Sequence, residues 1–123
     1  MGSVISHRGK ARHNERFLDL VKRNDSIQNP TFGDWMVTVA FYVALHYVDS
    51  RLATLGTTPE ERHPGNHAQR NTAVATLLPK PLSRDYLYLK SKSEYARYFP
   101  DSERRIPPRT VQQCINLALS RFR

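Results

Sequence analysis

Residues 35–48 read WMVTVAFYVALHYV, a run in which apolar side chains occupy nearly every position around a helical turn. Such a run predicts a helix that is buried on most sides, because a surface helix carries its apolar residues on one stripe only. We expect this helix to begin near Pro30 and to end at Gly56, since glycine commonly follows a last helical turn. At 1.5 Å per residue it is about 35–40 Å long and sets the length of the domain.

The eight prolines divide the rest of the chain into shorter helices, because proline breaks a helix interior but is tolerated in the first turn. No stretch shows the alternation of apolar and polar residues that a half-buried strand requires. The other predicted helices are residues 8–23, a short turn opened by the capping box Thr58-Pro59-Glu60-Glu61, residues 67–78 capped by Asn66, residues 83–99, and a last helix after Pro107 and Pro108. We therefore predict one all-α domain over residues 1–123, a four- to five-helix up-and-down antiparallel bundle.

Apolar residues at helical spacing predict which faces of the first and last helices are buried. In the first helix this face consists of Phe17, Leu18 and Val21. In the last helix it consists of Val111, Ile115, Ala118, Leu119 and Phe122. Cys114 lies beside that stripe and is expected to be a small core residue. Because it is the single cysteine, the chain cannot form an internal disulfide.

The chain is basic, with 19 Lys and Arg against 11 Asp and Glu and a net charge of +8. In residues 86–99, YLYLKSKSEYARYF, four tyrosines (Tyr86, Tyr88, Tyr95 and Tyr98) accompany Lys90, Lys92 and Arg97. Basic and aromatic side chains together suit a nucleic-acid surface, through phosphate contacts and base stacking. The alternative is that the tyrosines cover the bundle and the charge only aids solubility.

Polar residues lie on faces that are otherwise apolar. Counting back from Val74 by three and four residues places His67, Arg70 and Asn71 on the core-facing stripe of their helix, and His46 lies inside the apolar run. Burying such groups unpaired is costly, so they must be hydrogen-bonded or face a cleft. Either His46 and Arg70 join a buried polar network, or His67, Arg70 and Asn71 line an anion pocket at a helix N-terminus. We expect no zinc site from His46, His63 and His67, because Pro64 and Gly65 interrupt the helix between the last two.

Three segments resemble the HEPN family of small helical bundles: DWMVTVAFYVALHYVDSRLATLG (34–56), HPGNHAQRNTAV (63–74) and SEYARYF (93–99). The resemblance covers roughly residues 30–100. It implies an up-and-down bundle that is often a homodimer. Many family members are metal-independent ribonucleases of toxin–antitoxin, CRISPR-linked or RNA-processing systems. Others are non-catalytic nucleotide-binding modules or partners of small nucleotidyltransferases.

The nuclease members carry an arginine that is usually followed by a polar residue, and a histidine comes after a further four to six residues. In such a site the arginine stabilises the phosphate and the histidine moves protons. Here Arg70-Asn71 matches the beginning of this pattern, but no histidine follows it. The interval from Arg62 to His67 has the right spacing but crosses the Pro-Gly loop, and the interval from Arg8 to His13 also fits.

We therefore expect a HEPN-like module that binds RNA, a nucleotide or a protein partner through a polar cleft at the start of the 67–78 helix, with little or no catalysis. The alternatives are a metal-independent endoribonuclease, and a pure protein-interaction partner such as one half of a toxin–antitoxin pair. The catalytic candidates are His67, Arg70 and Arg62, and the ligand-binding candidates are His46, Asn71, Arg97 and Tyr98. We expect a cytoplasmic homodimer that needs no cofactor or metal and does not enter a membrane, since the apolar run is too short and flanked by charge.

Overall fold

The computed structural model describes residues 4–24, 33–98 and 106–123, and these residues form helices and no strand. The helices are α1 (Val4–Asn24), α2 (Gly33–Leu55), α3 (Pro59–Arg62), α4 (His67–Leu77), α5 (Lys80–Tyr98) and α6 (Pro108–Ser120). The prediction of an all-helical bundle is confirmed, with six helices in the described ranges. None of the described helices is long and apolar enough to cross a membrane.

Helix α2 is the centre of the bundle, as its apolar sequence predicts. Of its 23 residues 14 are buried, and it packs against α1, α5 and α6, with α3 and α4 also in contact with it. Side-chain contacts give the directions of its neighbours. Arg97 near the end of α5 reaches Tyr42 in the first half of α2, and Arg121 just beyond α6 reaches Asp85 near the start of α5. Tyr88, further along α5 than Asp85, reaches Gln113 in the first half of α6, so α5 runs antiparallel to α6.

Local capping signals in the sequence are confirmed. Thr58 and Glu61 form the reciprocal capping box, and the Asn66 side chain accepts a hydrogen bond from the Gln69 backbone at 2.8 Å. Helix α5 begins at Lys80, earlier than the predicted Ser83. The reason is that Pro81 lies in the first turn, where the missing N–H of proline has no helical partner to lose.

The predicted core of α6 is confirmed, whereas that of α1 is partly wrong. Val111, Ile115, Ala118, Phe122 and Cys114 are buried, and Leu119 is half-buried. In α1, Leu18 is fully buried but Phe17 is 49% exposed; the side chain of Val21 lies outside the described part of the structure. Helix α1 turns Ala11, Glu15 and Leu18 inward, and successive helical residues point about 100° apart, so Phe17 lies off that face.

One of the four tyrosines predicted to accompany a basic surface is not at the surface. Tyr86 is fully buried, and its ring lies 5.7 Å from that of Phe41. The tyrosine lies on the side of α5 that packs against α2. Tyr86 therefore belongs to the core, and the prediction that it contributes to a nucleic-acid surface is wrong.

Candidate functional site

The interface of α2 and α4 contains a buried ion pair. Arg70 donates from Nε to Asp49 Oδ1 at 2.8 Å and from Nη2 to Oδ2 at 3.2 Å. The two side chains are 13% and 8% exposed. This is the parallel, two-bond arrangement in which guanidinium and carboxylate match best. Arg70 is therefore held in the interior by a carboxylate and is not turned toward a ligand.

Several polar groups near this pair are buried without a hydrogen-bond partner in the described part of the chain. They are Nδ1 of His46, Oδ1 of Asn71 and the hydroxyl of Tyr86. Burial raises the pKa of Tyr86 far above its usual value, with smaller effects from the charges of Arg70 and Asp49. Burying an unpaired polar group costs about 1–3 kcal/mol. The region around Asp49 is thus a polar part of the core.

His46 contacts α1. Its ring stacks on that of His7, with centroids 6.1 Å apart. Burial lowers the pKa of His46, and the charges of His7, Lys10 and Arg70 lower it further, against an opposing effect of Asp49. His46 is therefore kept neutral on the α1 side of the ion pair, where it serves the packing of α1 on α2.

His67, the first residue of α4, is exposed. Its ring lies 6.4 Å from that of Phe41. Partial burial lowers the pKa of His67, and the positive charges of Arg70, Lys90 and Arg97 lower it further, while Glu94 raises it. An imidazole in these surroundings is neutral near pH 7, so it both donates and accepts hydrogen bonds.

The α5 side of this site is a basic face close to α2. Arg97 donates from Nη1 to the Tyr42 hydroxyl at 3.3 Å, and its guanidinium lies 5.9 Å from the centre of the Tyr42 ring. One and two turns earlier, Glu94 and Lys90 form an ion pair. Arg97 Nε also donates to the Ser93 carbonyl at 3.3 Å, so the guanidinium is restrained beside the ring with its positive charge on the α5 face. Because the charges of Lys90 and Arg97 act on His67 at the start of α4, we name His67, Lys90 and Arg97 the α4–α5 cleft, next to which the Glu94 carboxylate also acts on His67.

The structure brings some of the sequence-predicted residues together and separates others. His67 and Arg97 share the cleft, whereas Arg70 is paired with Asp49 and His46 contacts His7. The backbone N and Cγ of Arg62 lie so close to Gly56 that a Cβ there would meet them at 2.7 and 2.8 Å. Tyr98 ends α5, but its side chain lies outside the described part of the structure.

Sequence reasoning missed Asp49 and Tyr42 as site residues. Asp49 is the charge that follows the apolar run, and it comes one helical turn after His46 in a helix predicted to be buried on most sides. A carboxylate at such a position needs a cationic partner. That requirement was the available signal. Tyr42 gave none, because an aromatic residue in an apolar run looks like core.

The α4–α5 cleft offers an imidazole, an ammonium group paired with the Glu94 carboxylate and a guanidinium group bonded to the Tyr42 hydroxyl; these are groups whose chemistry suits binding an anion and moving a proton. In the described ranges, no group of three or more His, Cys, Asp or Glu residues is placed to hold a metal ion. Comparison with known proteins finds no match to a protein-family model, to a curated protein or to a solved structure.

Proposed function

We propose that this chain is an RNA-binding module that contacts phosphate in the α4–α5 cleft and does not cleave the strand. The observation that carries the proposal is the exposed His67 imidazole, on which the positive charges of Lys90 and Arg97 act from α5 against the opposing charge of Glu94. A phosphate entering there would neutralise the repulsion that now disfavours protonation of His67. The net charge of +8 favours approach of a polyanion.

Two arrangements support binding without cleavage. Arg70 is engaged by Asp49 through two hydrogen bonds, and Arg62 is an exposed residue at the end of α3, separated from His67 by the Pro64-Gly65 loop. Neither arginine is arranged with His67 as the phosphate ligand that a metal-independent ribonuclease requires. The resemblance of the sequence to HEPN domains supports RNA as the polyanion, since many members of that family are ribonucleases. It is also compatible with binding alone, since other members are non-catalytic.

The test is fluorescence anisotropy of a labelled single-stranded RNA in EDTA. We expect His67→Ala and Arg97→Gln each to weaken binding about tenfold, because each removes a hydrogen bond to a charged group. Arg84→Gln is the matched control, since Arg84 is an exposed arginine on the same helix as Arg97. Equal weakening by all three substitutions would contradict a defined site. An absence of binding would favour the protein-interaction alternative.

The proposal also predicts uptake of a proton. Burial and the surrounding cations lower the pKa of His67 in the free protein, and a bound phosphate raises it, so affinity increases as the pH falls from the pKa of His67 in the complex toward its lowered pKa in the free protein. His67→Ala should remove this dependence while leaving the salt dependence in place. An identical pH profile for the variant would exclude His67 from the phosphate contact.

A metal-independent endoribonuclease is the second candidate, favoured by the neutral imidazole of His67, which suits a general base. In nuclease HEPN domains two sites meet across a dimer, so this candidate requires the homodimer that the resemblance implies. Light scattering with size-exclusion chromatography measures the oligomeric state. Gel analysis of the same RNA in EDTA measures cleavage, which must disappear in His67→Ala if this candidate is correct.

A further inference from the structure

A second basic surface lies between α1 and α2, and it is lined by arginines. A cavity of about 420 Å³ is lined by Arg8, Arg12, Glu15, Arg16, Tyr47 and Arg123. An adjoining cavity of about 360 Å³ shares Arg8, Tyr47 and Arg123 and adds Arg51. We name the two cavities together the arginine groove. None of the arginines that line it belongs to the α4–α5 cleft.

The arginines form an ordered series. Arg8, Arg12 and Arg16 follow one another at intervals of four residues, so they lie on one face of α1 with a rise of about 6 Å between them. Arg123 lies across from this face. Arg51 donates to the backbone carbonyls of Phe122 and Arg123 at 3.4 and 2.9 Å, which ties the end of the described chain to α2.

Glu15 holds the groove in shape. This carboxylate is only 6% exposed. It accepts a hydrogen bond from the Tyr47 hydroxyl on one oxygen, and on the other it accepts one from Arg123 Nε at 3.0 Å and another from the same guanidinium. The groove therefore has one carboxylate against five guanidinium groups, and the carboxylate is buried beneath them.

The lining indicates which anion fits. Guanidinium groups bind phosphate oxygens in pairs, and a row of them matches a chain of phosphates better than one isolated ion. The two aromatic residues of the lining, Tyr47 and Phe122, are 5% and 1% exposed, so they offer no platform for stacked bases of a nucleic-acid strand. Each cavity has the size of a small-molecule site.

We propose that the arginine groove binds a linear polyphosphate, either inorganic or the phosphate chain of a nucleoside triphosphate. Successive phosphates contact Arg8 and Arg12 from α1, and Arg123 closes the site from the opposite side. This site is independent of the RNA site proposed above.

The test is titration calorimetry of the full chain at low ionic strength with sodium tripolyphosphate, ATP and orthophosphate. We expect tripolyphosphate to bind one to one, and Arg8→Gln and Arg12→Gln each to weaken it about tenfold. Arg84→Gln is the control and should change the affinity less than about twofold. Circular dichroism checks that the exposed-arginine variants keep the helical fold.

The remaining outcomes decide the source of the ligand or overturn the proposal. ATP binding tighter than tripolyphosphate assigns a nucleoside triphosphate, and equal or weaker binding assigns the inorganic chain. Orthophosphate binding as tightly as tripolyphosphate would refute a polyphosphate site. So would groove variants no weaker than Arg84→Gln, or a single-stranded RNA that displaces tripolyphosphate and depends on Arg8 and Arg12.

Discussion

Substitution of Asp49 tests whether Arg70 is a structural residue or a ligand-binding one. In Asp49→Ala the guanidinium of Arg70 loses both carboxylate bonds, of 2.8 and 3.2 Å, while staying in a site where its side chain is 13% exposed. Removing one partner of a buried ion pair costs about 3–5 kcal/mol, because an uncompensated charge remains. Since Arg70 keeps some contact with solvent, we expect the lower end, about 3 kcal/mol. For a domain of this size that lowers Tm by about 12 °C.

The assay is urea unfolding followed by circular dichroism, with Arg121→Ala as the matched control. Arg121 pairs with Asp85 at the same 2.8 Å, but its side chain is 48% exposed. We expect that control to cost less than about 1 kcal/mol, because water screens an exposed pair. The double variant Asp49→Leu/Arg70→Met removes both charges, and we expect it to be more stable than Asp49→Ala.

Two results would refute this reasoning. The first is an equal loss of stability in Asp49→Ala and Arg121→Ala, which would mean that burial does not strengthen the dependence of Arg70 on Asp49. The second is that the stability losses of Asp49→Ala and Arg70→Ala simply add up in the variant that carries both alanines, since residues that contact each other must show a coupling energy. Either result would return Arg70 to the set of phosphate-binding candidates.

Three further predictions follow from local environments. Gly56→Ala should lower the free energy of unfolding by about 1–3 kcal/mol in the same urea assay, because its Cβ would meet the Arg62 backbone N at 2.7 Å. Gly9→Ala is the control: a Cβ at Gly9 meets nothing within 4 Å, so this substitution in α1 should raise the free energy of unfolding by up to about 1 kcal/mol. Burial raises the pKa of the Cys114 thiol to about 11, so native protein at pH 8 should react with a thiol reagent far more slowly than urea-unfolded protein. Burial lowers the pKa of His46, so the imidazole of the unfolded chain is protonated first as the pH falls, and the free energy of unfolding decreases below pH 6.5. His46→Gln should reduce this decrease. A wild-type free energy of unfolding that does not change between pH 7.5 and 5.5 would contradict the prediction.

The candidate site could be predicted only in part, and the reason is visible at His67 and Arg70. Helical spacing placed both residues on one stripe of α4, which is correct for the helix alone. At the exposed N-terminal end of α4, His67 lies near Phe41 of α2 and within reach of the charges of α5, whereas one turn later Arg70 meets Asp49 of α2. One residue consequently faces a cleft and the other enters an ion pair. Spacing within a helix cannot state which neighbour each position meets.

Sequence alone determined the features that depend on neighbours along the chain. The capping box at Thr58, the Asn66 cap, the proline boundaries and the burial of α2 all arise within a few residues or from one continuous apolar run. Tertiary structure alone decided the pairing of Asp49 with Arg70, 21 residues away, and of Glu15 with Arg123, 108 residues away. A charge takes whichever partner the packing of helices brings within about 3–4 Å, and that choice is made between helices. The arginine groove and the α4–α5 cleft are both products of that packing.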